Sequence, residues 1–408
     1  MVGYETGKDF EVVDHIQCLT GVESSGSTGG DSSAMPESRA SSPGGSNAEA
    51  RAFLPVLGLY VGLRAVLLLG NVLAARMTMA PSWLLPFTAW DGHWYTQVAH
   101  SWYGSSELSL GQLTYSAGGF EPGWPIVIKF GTLFGLSFSG SAFLMSVVVG
   151  AITVYAIWRL SREIVPRNSL AATTAVLVFP GAAVAFGLAY SEVLSIGCAA
   201  ATLFFLIRRR WVLAGIVGAV ATATSSLAVV LPVACLVEAI VVIRQRREYK
   251  SLVPVFIAPL GFIGFVAYLG YLANDPFYWW KLQGQAWGAK IEPEYIFHWL
   301  WSLARSGWGM YWLAALGLLV LVYLIVTVIR SEIPVSAKVY CVAVALMVLA
   351  NPALGPKPRF LFWMFPSLML LPVNLKPKVF SSVVTVMALL LPLLLIAYTT
   401  IGNTVAQP

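Results

Sequence analysis

The stretch FLPVLGLYVGLRAVLLLGNVL, residues 53–73, decides the fold class of this chain. It contains a single charged side chain, Arg64, among residues that are nearly all apolar or small. A helix needs about 20 such residues to cross the hydrocarbon core of a bilayer. The stretch therefore predicts a membrane-spanning helix, and Arg64 in its middle requires a polar partner on a neighbouring helix.

The rest of the chain repeats this pattern. Of its 408 residues, 58% are hydrophobic and 11% are charged, whereas soluble domains carry roughly 25% charged residues. Apolar runs of suitable length predict an all-α polytopic membrane protein with about 11 transmembrane helices. The predicted spans are residues 53–73, 141–158, 170–188, 193–207, 211–243 as two short helices, 252–272, 310–329, 339–349, 360–372 and 379–401.

The positions of the basic residues predict the orientation. They cluster at the ends of apolar runs, so the net charge of +6 reflects the positive-inside rule and not a nucleic-acid partner. With a cytoplasmic N-terminus, two long segments, residues 74–139 and 274–309, lie on the opposite face. The run WPIVIKFGTLFGL, residues 124–136, is too short to cross and predicts a helix at the membrane interface, as do the aromatic residues of the second segment.

The composition divides the chain into two predicted regions, a tail and a transmembrane domain. Residues 1–50 are rich in Ser, Gly, Pro and Ala and predict a disordered cytoplasmic tail. Residues 51–408 form the predicted transmembrane domain. The cysteines and histidines show no metal-ligand spacing, so we expect no metal site, and no cofactor motif is present.

A cluster of chemistry-bearing residues follows the first span. Trp90, Trp94 and Trp102 recur on one face of a helix that would lie flat at the interface. Asp91 lies at the start of this helix, where partial removal from water suits a carboxylate to accept a proton. Thr88 and Asp91 also fit a capping box, which would make the carboxylate a helix cap. The spacing leaves both interpretations open.

Other ionisable residues lie near the outer ends of spans. Glu192 lies where an apolar run turns, and a carboxylate at that depth either acts in a site or pairs with a neighbouring helix. Arg305, Lys357 and Arg359 are outer-face cations near lipid. They would bind a phosphate group, or extend to lipid headgroups.

Four sequence motifs together resemble a known family. WDGHWYTQVAHSWY at residues 90–103 and FEPGWPIVIKFG at 120–131 are similar to the first-loop signature of PIG-V-type mannosyltransferases. FPGAAVAFGLAYSEVL at 179–194 and PRFLFWMFP at 358–366 resemble that family's later motifs. The matches occur in the family's order and extend over most of the chain after residue 50.

The resemblance implies a fold, a reaction and a site. It implies a bundle like that of the GT-C glycosyltransferases, with interfacial helices in the outer loops, and a sugar donor on a polyprenyl phosphate. Asp91 and Glu192 match the family's acidic positions, and Arg359 matches the arginine near the donor phosphate, where Lys357 and Arg305 would assist. Residues expected to contact the sugar or acceptor are Trp90, His93, Trp94, Tyr95 and Glu121. The acceptor would be a hydroxyl of a lipid, glycan or protein.

The departures from the family pattern leave the sugar and acceptor open. Ala89 and Ser225 occupy positions where the family has arginine, and Glu121 and Trp124 replace aromatic residues. Two other functions are compatible with the sequence: a transporter or flippase of lipid-linked sugars, and a catalytically silent partner subunit of a glycosyltransferase. The expected location is a bacterial plasma membrane with the site on the outer face, and the endoplasmic reticulum membrane is the alternative.

Overall fold

The computed structural model describes residues 44–104, 116–306 and 310–400. Within these ranges every regular element is a helix and there are no strands, so the all-α prediction is confirmed. The α-helices are α1 Gly44–Met77, α2 Leu84–Phe87, α3 Asp91–Ser101, α4 Gly123–Thr132, α5 Phe138–Ile164, α6 Ser169–Val178, α7 Ala182–Gly187, α8 Glu192–Ile207, α9 Trp211–Thr222, α10 Val230–Arg246, α11 Val253–Ile257, α12 Leu260–Leu272, α13 Tyr278–Ala286, α14 Tyr295–Ser306, α15 Met310–Arg330, α16 Val335–Ala350, α17 Pro358–Leu361, α18 Phe365–Leu368, α19 Leu371–Asn374 and α20 Pro377–Thr400.

The helices long enough to cross a membrane account for five of the eleven predicted spans. In the described residues, five apolar helical segments have sufficient length: Ala48–Met77, Phe138–Ile164, Ser226–Arg246, Tyr249–Leu272 and Pro377–Thr400. Four shorter apolar helices, Glu192–Ile207, Trp211–Thr222, Ala315–Arg330 and Val335–Ala350, match four more predicted spans. The chain is therefore a multi-pass membrane protein.

Two predicted spans are interrupted, which corrects the expectation of unbroken helices. Residues 170–188 form α6 and α7, separated where Phe179 adopts an extended conformation before Pro180, because the ring of a proline disfavours a helical residue before it. Residues 358–374 form α17, a 3-10 turn, α18 and α19, and each of these three α-helices has proline at its first or second position. Irregular backbone of this kind is tolerated at membrane depth only where protein surrounds it.

Small residues bring the broken segments close to their neighbours. A Cβ atom added at Gly181, just before α7, would lie 2.3 Å from the carbonyl oxygen of Pro358. A Cβ atom at Gly197 in α8 would lie 2.2 Å from Oγ1 of Thr153 in α5. Glycine at these positions allows backbones to approach closely, as is common between helices in membranes. As a result, the broken helix α6–α7 contacts the segment that begins at α17.

The two segments predicted to lie on the outer face, residues 74–139 and 274–309, contain short helices, as the sequence predicted. Helix α4 has 10 residues, too few to span a bilayer, which agrees with the interfacial interpretation. In the second segment, α13 and α14 expose the large rings of Trp280, Phe297 and Trp301. Exposed aromatic rings on short helices are typical of the membrane interface.

The predicted tail lies mostly outside the described residues, which begin at residue 44. Helix α1 already starts at Gly44, so the last residues of the stretch assigned to a disordered tail are helical. The disorder and cytoplasmic location of the preceding residues stay predictions.

Candidate active site

One arginine joins two carboxylates that are far apart in the sequence. Arg359 donates from Nη1 to Oδ2 of Asp91 at 2.7 Å and from Nε to Oε1 of Glu192. The side chain of Glu192 is 4% exposed, that of Arg359 14% and that of Asp91 24%. The structure therefore brings together the three residues that the resemblance placed in one site, and the pair of acids encloses a buried cation.

The start of α3 positions Asp91 by its backbone. Trp90 precedes the helix with φ of 57° and makes no side-chain cap. Thr88 does not form the predicted capping box: α3 begins after Trp90, and the hydroxyl of Thr88 donates to the carbonyl of Leu84 in α2 at 3.0 Å. The capping interpretation is therefore wrong, and the carboxylate of Asp91 is directed to Arg359 instead. The backbone N–H of Asp91 donates to the hydroxyl of Tyr190 at 3.3 Å.

The turn between α7 and α8 positions Glu192. The N–H of Ala189 donates to the carbonyl of Phe87 at 2.9 Å, and Trp124 Nε1 donates to the carbonyl of Ala189 at 3.0 Å. The hydroxyls of Tyr95 and Ser191 share a hydrogen bond of 2.7 Å. These bonds fix the turn against residues of the segment 74–139. Oε2 of Glu192 is buried and has no hydrogen-bond partner among the described residues.

Aromatic rings surround the cation. The guanidinium carbon of Arg359 lies 4.6 Å from the ring centre of Tyr190 and 5.4 Å from that of Phe360. Lys357 lies over Phe360, with Nζ 5.9 Å from the ring centre. Burial and the charge of Arg359 lower the pKa of Lys357, against an opposing effect of Asp91. Lys357 is thus a second basic residue whose charge interacts with the carboxylate of Asp91.

Glu121 adds a third acidic group. It is 3% exposed. Burial raises its pKa to about 7, while hydrogen bonds from its own backbone and from Ser226 act in the opposite direction and the charge of Glu192 raises it further. Its Oε1 has no hydrogen-bond partner among the described residues. Near neutral pH this carboxyl group can therefore exist in either protonation state.

The remaining predicted contact residues differ in how available they are. Trp94 stacks on Phe120 with ring centres 5.7 Å apart and is partly exposed. Tyr95 is buried and already bonded to Ser191. Trp90 donates from Nε1 to the carbonyl of Tyr398 at 2.8 Å, so its indole N–H is engaged within the protein. His93 is exposed.

The structure does not bring Arg305 into the ion-pair cluster. Arg305 is exposed on α14, and its guanidinium carbon lies 4.8 Å from the ring centre of Trp301. Across the described ranges no hydrogen bond or ion pair connects it to Asp91 or Glu192. An arginine on a surface-exposed aromatic helix matches the alternative role of reaching lipid headgroups.

Sequence reasoning missed several residues that support the site. Tyr190 contacts both Asp91 and Arg359, and Trp124 holds the carbonyl of Ala189. Tyr190 immediately precedes Ser191 and Glu192, so the quoted motif contained the signal. Trp124 is fully buried. The sequence identified this residue only as a departure from the family pattern, and that comparison gave no information on its burial or its contact with Ala189.

The arrangement provides two chemical capabilities. A carboxylate can accept a proton, and a guanidinium can bind an anion through N–H groups that the carboxylates leave free. In the contacts described, Nε and Nη1 of Arg359 serve the carboxylates, and Nη2 bonds to neither. Within residues 44–104, 116–306 and 310–400, no three His, Cys, Asp or Glu side chains are grouped so that they could hold a metal ion.

Comparisons with known proteins give similarity in structure only. Neither a protein family nor a curated protein matches the sequence. A crystal structure of ArnT from Cupriavidus metallidurans bound to undecaprenyl phosphate is similar over 76% of this chain and 72% of that chain, with 15% identity and a TM-score of 0.49. The apo structure of ArnT covers 77% of this chain and 60% of that chain, with 16% identity and a TM-score of 0.48. The resemblance to PIG-V-type enzymes stays a prediction from the sequence motifs.

Proposed function

We propose that this chain is a membrane glycosyltransferase that moves a sugar, by the motif resemblance mannose, from a polyprenyl phosphate to a hydroxyl acceptor. The observation that carries the proposal is the bridge from Arg359 to Asp91 and Glu192. It combines a proton acceptor and an anion-binding group beside aromatic rings in a multi-pass membrane protein. A lipid-linked donor reaches such a site laterally from the bilayer.

In the proposed reaction, Asp91 accepts the proton of the attacking hydroxyl. The hydroxyl oxygen forms a bond to the anomeric carbon of the sugar while the bond from that carbon to the phosphate oxygen breaks. Because the oxygen attacks on the face opposite the leaving phosphate, the configuration at the anomeric carbon inverts. A positioned general base contributes about 10²- to 10⁴-fold to such a step.

The leaving phosphate gains negative charge as the bond breaks. Arg359 would bind it through Nη2 while its other two nitrogens keep hold of the carboxylates, and Lys357 would add a second positive charge. Preorganised cations of this kind stabilise the transition state without rearrangement during the reaction. Glu192 orients Arg359, and its unpaired Oε2 would accept a hydrogen bond from a sugar hydroxyl.

Acceptor and sugar recognition would involve the residues next to this bridge. Glu121, with a pKa of about 7 and an unpaired oxygen, would bind a hydroxyl group either as donor or as acceptor. Trp94, stacked on Phe120, offers a ring against which a sugar face can pack. The acceptor is a hydroxyl of a lipid, glycan or protein, and the site would face the outer side of a bacterial plasma membrane.

The test is complementation of a deletion strain, with mass spectrometry of its lipid-linked and cell-envelope glycans. We expect the deletion to remove one sugar unit and wild-type protein to restore it. Asp91→Asn should restore less than about 1% of it, since an amide cannot accept the proton. Asp275→Asn is the matched control, because Asp275 is an outer-segment aspartate that pairs with Lys281 at 2.6 Å.

Full restoration by Asp91→Asn would remove Asp91 from the role of base. Unchanged glycan composition in the deletion strain, with altered movement of a labelled lipid-linked sugar across the membrane, would favour the transporter alternative. Restoration only when a second glycosyltransferase is co-expressed would favour a partner subunit.

A further inference from the structure

Two polar side chains of α1 contact the end of α7. Arg64 donates from Nη1 to the carbonyl of Phe186, and Asn71 donates from Nδ2 to the carbonyl of Gly187 at 2.8 Å. The two residues are separated by about two helical turns, so they lie on the same face of α1. Asn71 is 2% exposed and Phe186 is 1% exposed. Two adjacent carbonyls are thus held by one face of another helix.

These carbonyls need donors from outside α7. The last carbonyls of a helix have no intrahelical partner, and Leu188 leaves the helix in an extended conformation with φ of −121° and ψ of 166°. The following backbone N–H groups therefore cannot continue the helical pattern, and the N–H of Ala189 bonds to Phe87 instead. In a membrane protein, unpaired backbone carbonyls away from water are costly. Arg64 and Asn71 supply the missing donors.

The charge of Arg64 is compensated without a carboxylate in the described part of the chain. Its Nη2 donates to Oγ of Ser146 at 2.8 Å, and its guanidinium carbon lies 5.6 Å from the ring centre of Phe143. The carbonyl end of a helix carries partial negative charge, which attracts a cation. The polar partner that Arg64 required is therefore the end of a broken helix, and not an acidic residue.

The segment that leaves α7 leads directly into the candidate site. Tyr190 and Glu192 follow Gly187 within a few residues, and both contact Arg359. The outer side of this turn is held by Phe87 and Trp124, whereas the end of α7 is held by α1. A shift of that end would be passed to Glu192 because the connecting turn is short.

We propose that Arg64 and Asn71 are positioning residues: they hold the end of α7 so that Glu192 and Asp91 share Arg359. The proposal rests on the proposed function in one respect, because it assigns this placement a role in sugar transfer. The placement itself is independent of which reaction the site performs.

The first experiment separates turnover from donor binding. In membranes supplied with a labelled polyprenyl-phosphate sugar, Arg64→Met should lower kcat about 10- to 100-fold, the effect of losing a hydrogen bond to a charged group. KM for the donor should change by less than about threefold, because the phosphate-binding Arg359 is retained. Arg64→Lys should recover most of the loss, since an ammonium group can donate to the same carbonyl.

Two further variants define the contact. Asn71→Leu removes the second donor at similar volume and should act in the same direction. Ser146→Ala is the matched control, because it removes the other hydrogen bond of Arg64 and leaves the one to Phe186. It should change kcat by less than about threefold. A loss in Ser146→Ala equal to that in Arg64→Met would overturn the proposal.

The second experiment measures the position of the turn between α7 and α8 by disulfide formation, independently of catalysis. A Cβ atom at Gly92 would lie 3.2 Å from Cβ of Ala189, within a few tenths of an ångström of the separation of about 3.5–4.5 Å that a disulfide requires. In a chain whose natural cysteines are replaced, Gly92→Cys with Ala189→Cys should therefore form a disulfide readily under mild oxidation. Adding Arg64→Met should slow its formation about tenfold, and Arg64→Lys should restore it.

The two experiments fail in different ways. Unchanged disulfide formation in both Arg64→Met and Asn71→Leu would refute the positioning role, whatever the activity. If wild-type protein transfers no sugar while disulfide formation still depends on Arg64, the proposed function fails and the positioning role stands. If Arg64→Met does not reach the membrane, Asn71→Leu carries both measurements.

Discussion

Replacing Arg359 by lysine keeps the positive charge of the site and removes its planar fork. In the wild-type protein, Nε serves Glu192 and Nη1 serves Asp91, at 2.7 Å for the second bond. These nitrogens leave the guanidinium in different directions, fixed by its plane. A lysine ammonium is a single point on a flexible chain, so we expect it to hold one carboxylate and release the other.

The size of the effect follows from burial. A hydrogen bond to a charged group contributes about 1.5–3 kcal/mol, and Glu192 is the less exposed of the two acids, at 4% against 24% for Asp91. We therefore expect Arg359→Lys to lower the free energy of unfolding by about 2 kcal/mol. If the same bond positions the base and the phosphate, kcat should fall about 10- to 100-fold, since a tenfold change corresponds to about 1.4 kcal/mol.

Equilibrium unfolding in mixed detergent micelles, followed by circular dichroism, measures the free energy of unfolding of wild-type protein and Arg359→Lys. Arg359→Lys is then measured in a Glu192→Gln background, where Asp91 is the only carboxylate left for the lysine to bind. There the substitution should lower the free energy of unfolding by less than about 1 kcal/mol. Lys357→Arg is the control for stability, because Lys357 forms no ion pair in the described part of the chain. An equal loss in both backgrounds would show that Arg359 does not bridge the two acids.

Three other predictions test the site and the orientation. The free energy of unfolding should fall by about 3 kcal/mol as the pH rises from 4.5 to about 7, because the unfolded chain releases the proton of Glu121 at a lower pH than the folded chain does. Glu121→Gln should remove this fall from a plot of the free energy of unfolding against pH. An unchanged slope in the variant would contradict the assignment to Glu121. Gly181→Ala should destabilise the protein by about 1–3 kcal/mol, because the new Cβ would lie 2.3 Å from a carbonyl oxygen of α17. Gly62→Ala is the control and should change the stability by less than about 0.5 kcal/mol, because no atom of the described residues would lie within 4 Å of its Cβ. The orientation can be tested in a chain whose natural cysteines are replaced. Met79→Cys, at a position 92% exposed, should react with an impermeant maleimide in intact cells, whereas Arg167→Cys should react only after permeabilisation. The reverse pattern would put the site on the cytoplasmic side.

The helical class and most spans could be predicted from the sequence because the signal is local. A continuous apolar run such as residues 53–73 forms a helix in a bilayer, because the helix is the structure in which one segment satisfies its own backbone hydrogen bonds there. Apolar length alone was an incomplete signal where a run also contains proline. The run at residues 170–188 has no charged side chain, yet its helix is interrupted at Phe179 because Pro180 disfavours a helical residue before it. Only the tertiary structure shows that the segment containing Pro358 packs against Gly181 beside this break.

The candidate site was predicted in part through the four motifs, which named Asp91, Glu192 and Arg359. They could not indicate which cations reach the acids: Arg359 does, and Arg305 lies exposed on α14. Spacing alone left capping and catalysis open for Asp91. The structure excluded the cap, because α3 begins after Trp90 without a side-chain cap and the N–H of Asp91 donates to the hydroxyl of Tyr190.

By itself, then, the sequence determined that the chain is helical and that it contains several apolar helices able to cross a membrane, because hydrophobicity and helix length are properties of short segments. The tertiary structure alone decided that Arg359 bridges two acids and that Arg64 holds a helix end and not a carboxylate. Those contacts join residues about a hundred or more positions apart, and they depend on how whole helices pack.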